Sequence, residues 1–405
     1  MDSKQLIVIG GGAAGFFCAV NAARLNPGLK IIVIEKTNKL LSKVKVSGGG
    51  RCNVTHACFD IAEMSRQYPR GNNFVKKAFH QFFTTDTVHW FEERGVKLKT
   101  EADGRMFPVS DSSQTIIDCL MREANRYGVE IMMKAEVESL KYNSNKFRLE
   151  LAGGRYLDAD LICIACGGYS KTEMFDWLRQ TGHSIERPVP SLFTFNMPGH
   201  PIRELMGVAV EKVNIKIAGT SLVQEGPLLI THWGLSGPAV LRLSSWGAKE
   251  LAEKNYEFTI YINWLAEAGY NESKLRETFI DFRVSSPSRK IVSTNFSKLP
   301  QRLWQFLLAQ AGITGDMRFA DFPKKMENLL IRNLVNYEMR VKGEEFVTAG
   351  GIRLPEIDPN TMMSKKLTNL YFAGEILDVD GITGGFNFQH AWTSGFIAGK
   401  NIAAS

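Results

Sequence analysis

The sequence predicts an α/β protein whose parallel sheet is split along the chain by a β-rich and then helical insertion. Three observations lead there. Residues 6–9 and 31–34 are short apolar runs flanking a helix pattern of small residues, so the chain opens as strand, helix, strand. Glycine clusters recur at 10–15, 47–53 and 374–387, the first and last where a strand gives way to a helix. Beyond Pro188 and Pro190 the pattern turns β-rich and then helical, before strands and a long helix close the chain.

Each element follows in order. Gly10-Gly11-Gly12-Ala13-Ala14-Gly15 sits between the first strand and a helix expected over 13–26. Gly10 permits the tight turn, Gly12 lets the backbone approach a pyrophosphate, and Gly15 lets the helix pack closely on the sheet. The helix N-terminus offers free amides and a positive dipole end to the phosphates. Glu35, 20 residues past Gly15, ends the second strand, where a carboxylate accepts from ribose hydroxyls. These features in sequence define a Rossmann-like dinucleotide-binding start. The glycine-rich loop 47–53 comes next, then helices over 74–94 and 113–127 and a strand over 129–133. Alternating runs at 137–142, 147–151 and 155–157 read as a meander on the edge of the main sheet. The apolar strand 161–165 ends in Cys166-Gly167-Gly168, a second tight turn at a strand's carboxyl end.

In the middle, strands are expected over 192–197, 208–217, 221–224 and 257–262, with one helix over 238–252. Residues 271–333 read as mostly helical, with Trp304 and Phe306 on core faces. Strands at 336–341, 345–348 and 370–373 precede a helix over 387–403. The expected domains are therefore 1–190 and 336–405 for one cofactor domain, with 191–268 and 269–335 as two parts of the insert.

A chain of 405 residues accommodates two or three domains and a buried cofactor. Its 44% hydrophobic and 22% charged residues are ordinary for a globular protein. No signal-type segment or membrane-length apolar run occurs, so a cytoplasmic location is expected. The six cysteines lack disulfide-framework or zinc spacing, and no metal is expected. Between residues 265 and 343, 13 Lys and Arg face 8 Asp and Glu, which supplies 5 of the 7 excess positive charges. Their spread over several helices reads as a solvated face, and nucleic acid is not the expected partner.

Three consecutive glycines in Ser47-Gly48-Gly49-Gly50-Arg51-Cys52-Asn53 point to backbone passing close beside a ligand. Arg51 is a candidate for a pyrophosphate or a substrate carboxylate, with a local loop tie as the alternative. Near the C-terminus, Gly374-Glu375 follows a strand, and Gly384-Gly385-Phe386-Asn387 feeds a helix whose N-terminus suits the negatively charged edge of a reduced flavin. Asn53 is placed to hydrogen-bond that flavin or to fix its loop. Asp378 or Asp380 is read as an acceptor for ribityl hydroxyls, with a turn cap as the alternative for Asp378. Lys36, Lys43, Val137, Ala165, Cys166 and Gly167 complete the candidate cofactor-binding set.

The strings SGGGRCNVT, EADGRMFPVSD, THWGLSGPAVLRLS and LYFAGEILDVDGITGGFNFQHAWTSGFIAGK resemble those of the YhiN/BaiN-like flavoproteins, also described as aminoacetone-oxidase-family FAD-binding proteins or NAD(P)/FAD-dependent oxidoreductases. The resemblance runs from Lys4 to Ala403. It implies a Rossmann-like FAD/NAD(P)-binding domain split by an insert with a β-barrel-like part and an α-helical part. Through that family the chain also resembles reductases of conjugated double bonds in 3-oxo bile acids. This chain has Leu41-Ser42-Lys43 where the family commonly has Gly-Arg-Lys, and Ala165-Cys166-Gly167-Gly168 where it usually has Ala-Thr-Gly-Gly.

For the catalytic residues the sequence offers only Arg51, Cys52 and His232, with Glu375 and Arg105 behind them. Cys163 and Cys166 resemble a redox pair, but an odd spacing along a strand sends them to opposite faces. His232 is a proton donor or a loop cap, and His390 reads as structural. No second complete GxGxxG occurs. A nicotinamide would then be a transient donor, meeting the flavin in the cleft between the cofactor domain and the insert. The expected activity is FAD-dependent, with NAD(P)H reducing an activated C=C or related small organic substrate. Two alternatives stay open: a flavin oxidase acting on an amine or amino-ketone, and a flavin-dependent nucleic-acid-binding or RNA-modifying protein. The oligomeric state is not legible.

Overall fold

The structure, a computed structural model, describes residues 3–143, 145–344 and 347–405. They form two compact units, Met1–Val189 with Thr348–Ser405, and Pro190–Val347.

The first unit is built on five parallel strands: β1 (Gln5–Ile9), β2 (Lys30–Glu35), β3 (Glu130–Met133), β4 (Leu161–Ile164) and β5 (Leu370–Phe372). Their order is β5-β4-β1-β2-β3. Ile7 pairs with Ile32 on one side and Ile162 on the other. β4 is buried at all four positions, as its unbroken apolar run requires of a strand covered on both faces. Helix α1 (Ala13–Leu25) lies along the C-terminal helix α3 (Phe386–Ala403). Small residues set their approach: a Cβ on Gly395 would stand 2.7 Å from the Ala14 carbonyl oxygen, and one on Gly399 2.6 Å from that of Cys18. The strand order reverses between β1 and β4, so the turns after these two strands meet at the switch point where open sheets bind ligands.

Two expectations for this unit change. The helix read over 74–94 is two helices, Asn72–Phe79 and Thr84–Glu92. The Asp86 carboxylate accepts the Phe83 amide at 2.7 Å and starts the second one. The meander does not extend the main sheet. Val137–Asn143, Lys146–Leu151 and Arg155–Ala159 pair antiparallel with one another in a sheet of their own, and the next strand, β4, docks beside β1.

The second unit has its own core. Six antiparallel strands close a barrel: Thr194–Asn196, Gly234–Ser236, Val223–Ile230, Ala209–Ile217, Glu257–Asn263 and Tyr337–Glu344. The last pairs with Glu257–Asn263 on one side and Thr194–Asn196 on the other, so it completes the barrel rather than beginning the cofactor domain expected from 336. Return to the first unit comes at Thr348. The strand expected at 345–348 falls partly on residues 345 and 346, which lie outside the described residues. The helix expected over 238–252 breaks at Gly247 into Pro238–Trp246 and Ala248–Glu253. Helices Glu272–Ser285, Gln301–Gln310 and Lys324–Val335 form the helical part. Among the described residues, no helix is long and apolar enough to cross a membrane.

Candidate cofactor site

The turns after β1, β4 and β5 surround one cavity of about 250 Å³. Its lining includes Gly10, Gly12, Ala13 and Ala14 from the first turn, Glu35 and Lys36 from the end of β2, and Ala165, Cys166 and Gly167 from the end of β4. Gly374, Glu375 and Asn387 are also part of the lining. A neighbouring cavity shares Gly10, Glu35, Lys36 and Cys166 and reaches Val137, Tyr169 and Trp177.

The glycines at the first turn separate into two kinds. A Cβ on Gly10, where φ is +116°, would lie 2.4 Å from the Ala165 carbonyl oxygen, and one on Gly15 2.0 Å from that of Gly10. These two are required by packing. A Cβ on Gly12 would find nothing within 4 Å. Gly12 is also the N-cap of α1 and supplies no side chain to its amides. Open space in front of an uncapped helix start fits the pyrophosphate of a dinucleotide. Glu35 accepts the Gly11 amide at 3.0 Å through Oε2 and the Thr37 amide at 2.9 Å through Oε1. It thereby fixes the turn and still has lone pairs for a ribose hydroxyl.

Sequence reasoning passed over Thr37, Lys39, Leu41, Phe388 and Ala391, which also line the cavity. Leu41 takes a left-handed φ of +53° and donates its amide to the Gly11 carbonyl at 2.8 Å, which folds its segment against the glycine turn. Leucine carries no sequence signal for that conformation. Lys43 forms an ion pair with Glu375, whose charge raises the lysine above its ordinary range.

The second glycine cluster begins in α2 (Ser42–Gly50), whose backbone leaves helical geometry at Ser47, Gly48 and Gly49. Ser47 donates its hydroxyl to the Val44 carbonyl at 3.0 Å. Gly48 has φ +57°, and a Cβ there would meet the Phe107 ring at 2.7 Å. Gly49 and Gly50 also have positive φ. With its amide oriented as its neighbours require, Asn53 accepts from the Gly385 amide and donates to the Thr55 carbonyl, both at 2.9 Å. His56, not anticipated from sequence, lies 3.0 Å through Nδ1 from the Gly384 carbonyl oxygen and stacks on Phe386 at 4.6 Å. The Asn387 amide bonds both main-chain groups of Gly381. The 47–53 loop is thus joined to the turn that starts α3.

Several candidates have other work. Arg51 donates to Glu101 at 2.6 Å, lies 3.7 Å from Asp111 and covers the Phe107 ring at 4.0 Å. That is the local tie, and the residue does not line the cavity. Arg105 bonds Glu101 and Asp103. Cys52 is buried with its thiol pushed up to about 12, so it is neither exposed nor a thiolate. Cys166 lines the cavity, but burial lifts it to about 11. Asp378 acts electrostatically on Arg70, which is ion-paired with Asp380. His232 is exposed in the second unit, edge-to-face with Trp233. His390 is buried, its Nε2 lies 3.3 Å from the Gly374 carbonyl oxygen, and burial lowers it to about 4. All six cysteines are free.

The profile of the HI0933-like protein Rossmann domain matches residues 4–401. The chain is 28% identical over 413 residues to a 3-dehydro-bile acid delta(4,6)-reductase of Clostridium scindens, covering 99% of each. It is 31% identical over 421 residues to a ribosomal RNA dihydrouridine synthase of Escherichia coli, covering 100% of this chain and 99% of that one. In fold it is similar to the 3-ketosteroid delta1-dehydrogenase of Sterolibacterium denitrificans, with a TM-score of 0.54, 13% identity and full coverage of both chains.

Proposed function

The chain belongs to the HI0933-like Rossmann-domain family and is an FAD-dependent oxidoreductase, and from that premise we propose that it reduces a carbon–carbon double bond conjugated to a carbonyl, in the uracil ring of an RNA. The observation that carries this reading is the chemistry common to the relatives' names. A delta(4,6)-reductase of a 3-dehydro bile acid and a dihydrouridine synthase both saturate a double bond activated by a carbonyl. RNA comes ahead of the small organic substrate because relatives named as ribosomal RNA dihydrouridine synthases match at 31% and 30% identity over almost the whole chain. The 28% match to the bile acid reductase keeps a small enone as the second reading.

Bound FAD would supply two-electron hydride chemistry. The Gly12 turn and the first amides of α1 would hold the pyrophosphate, and Glu35 would take a ribose hydroxyl. Lys43 and Glu375, which line the same cavity, would face the ribityl chain, and the uncapped start of α3 would offer positive dipole to the negatively charged flavin edge. Among the described residues one turn of this glycine pattern opens a helix, so a nicotinamide would be a visiting donor.

The test is anaerobic. FAD-loaded protein is mixed with NADH or NADPH, then with unmodified ribosomal RNA or a small enone. Rapid loss of flavin absorbance, followed by dihydrouridine in the RNA, is the expected result. Bleaching only by an amine or amino-ketone sinks the reductase reading, and reoxidation by the enone alone moves the substrate to the second reading.

A further inference from the structure

The barrel carries an exposed aromatic pair on a turn that its own backbone holds rigid. Thr231 and Gly234 exchange bonds across it: the Thr231 amide donates to the Gly234 carbonyl at 2.8 Å, and the Gly234 amide to the Thr231 hydroxyl at 3.2 Å. Gly234 has φ +154°, and a Cβ there would stand 2.2 Å from the Phe195 carbonyl oxygen. His232 and Trp233 project from this turn, rings 4.3 Å apart edge-to-face, and Trp233 is 36% exposed.

Cations lie on the segments hydrogen-bonded to this turn. Arg203 donates Nε to the His232 carbonyl at 2.5 Å. Arg302 donates to the Glu204 carbonyl at 2.6 Å and the Met206 carbonyl at 3.3 Å, so it sits on the same short segment as Arg203. The Met197 amide donates to the Trp233 carbonyl at 2.8 Å, and Met197 belongs to a groove of about 490 Å³ with His200, Glu257, Arg340 and Lys342. Arg340 and Lys342 are 82% and 61% exposed and share one carboxylate, Glu257, at 3.7 and 3.6 Å. Glu204, Glu338 and Glu344 are the other acids on these segments, and Glu338 is ion-paired with Arg332 at 2.8 Å.

A lone exposed tryptophan is an ordinary surface residue. An exposed ring pair on a hydrogen-bonded turn, with arginine and lysine on the segments bonded to it, is the kind of surface that binds single strands: bases stack on the rings and phosphates follow the cations. The ordering cost of stacking is low because the turn is already fixed. We propose that the His232–Trp233 turn, with Arg203, Arg302, Arg340 and Lys342, is the surface on which this protein holds single-stranded RNA. The inference rests on the RNA reading of the proposed function.

The experiment measures binding of FAD-loaded full-length protein to a fluorescent, uridine-containing single-stranded oligoribonucleotide across a salt series. Wild type is compared with Trp233→Ala, Trp233→Phe, Arg340→Ala/Lys342→Ala and, as a charge control on the first unit, Lys77→Ala, each checked for thermal melting and flavin content. Trp233→Ala is expected to weaken binding about tenfold with little change in salt dependence, and Trp233→Phe to keep most of the affinity. The double substitution is expected to weaken binding and lower the salt slope by about 1 for each phosphate it no longer neutralises, with Lys77→Ala neutral. If wild type binds RNA and forms dihydrouridine but Trp233→Ala and the double variant bind equally well, this surface is overturned and the reductase reading stands. If wild type neither binds nor modifies RNA yet reduces a small enone, the RNA reading falls and this surface falls with it.

Discussion

The Oε2 oxygen of Glu35 accepts the amide proton of Gly11 at 3.0 Å, which ties the end of β2 to the turn that follows β1. One side chain therefore shapes the glycine turn, and in the proposed FAD site it would also take a hydroxyl of the adenosine ribose. Glu35→Ala removes both contributions. We expect FAD affinity to fall about 10- to 100-fold, the range for removing hydrogen bonds to a charged group. FMN, which lacks the adenosine half, should bind the variant and the wild type much more equally. Fluorescence titration of the apoprotein with each flavin checks this, and an equal loss for both would remove Glu35 from the ribose.

Gly12 and Gly15 should respond differently to a side chain. Gly12→Val points into the open space before α1, so the apoprotein should melt as wild type does while flavin binding is lost. Gly15→Val drives methyl groups against the Gly10 carbonyl, already 2.0 Å from a Cβ, and should lower the melting temperature with or without flavin. Thermal melts of apo and FAD-loaded samples separate the two. Equal destabilisation of both apoproteins would mean that Gly12 also serves packing.

The parallel core and the first turn were legible because their signals are local. The run of Leu6, Ile7, Val8 and Ile9 reads as a buried strand, and Gly10 and Gly15 lie where packing leaves no room for a Cβ. What escaped depends on partners far along the chain. Tyr337–Glu344 looks like any strand, and only its pairing with Glu257–Asn263 places it in the barrel. Arg51 sits in a glycine loop beside the expected cofactor, yet Glu101, 50 residues on, takes its guanidinium. Leu41 lines the cavity through a left-handed backbone that its residue type does not announce. His56 was missed because its contact with the Gly384 carbonyl spans 328 positions.

Acid should destabilise the fold through two buried histidines. Burial lowers both His183 and His390 to about 4, against about 6.5 in an unfolded chain. Between these values the unfolded state binds protons that the native state refuses. Stability is therefore full above about pH 6.5, declines as pH falls, and levels off below about 4, with at most roughly 3 kcal/mol lost per group. His390→Gln keeps an N–H donor near the Gly374 carbonyl and removes one titration. Urea unfolding from pH 7.5 to 4.5 should give a shallower decline for the variant, and parallel curves would assign the acid sensitivity elsewhere.

Arg70 and Asp380 form an ion pair that is almost fully enclosed, at 9% and 5% side-chain exposure. Burial pulls the guanidinium down to about 10, which leaves it cationic at neutral pH. Around the pair, the Asp380 amide donates to the Arg70 carbonyl at 3.3 Å, the Ile382 amide to the Gln67 carbonyl at 3.0 Å, and the Tyr68 hydroxyl to the Phe386 carbonyl at 2.6 Å. The segment that leads into α3 is thus clamped by residues 67–70, and Asn387, Phe388 and Ala391 of α3 line the cavity. Asp380→Asn leaves a buried cation short of its counter-charge, so it should cost about 3 to 5 kcal/mol and weaken FAD binding. Arg70→Met/Asp380→Leu removes both charges of the pair and should recover part of the stability, because Asp378 loses the same cation. Urea midpoints and flavin titrations of the single and double variants measure the two effects. If the double variant regains stability and full flavin affinity, the pair only supports folding. If stability returns and affinity does not, the clamp also sets the geometry in which the start of α3 meets the cofactor.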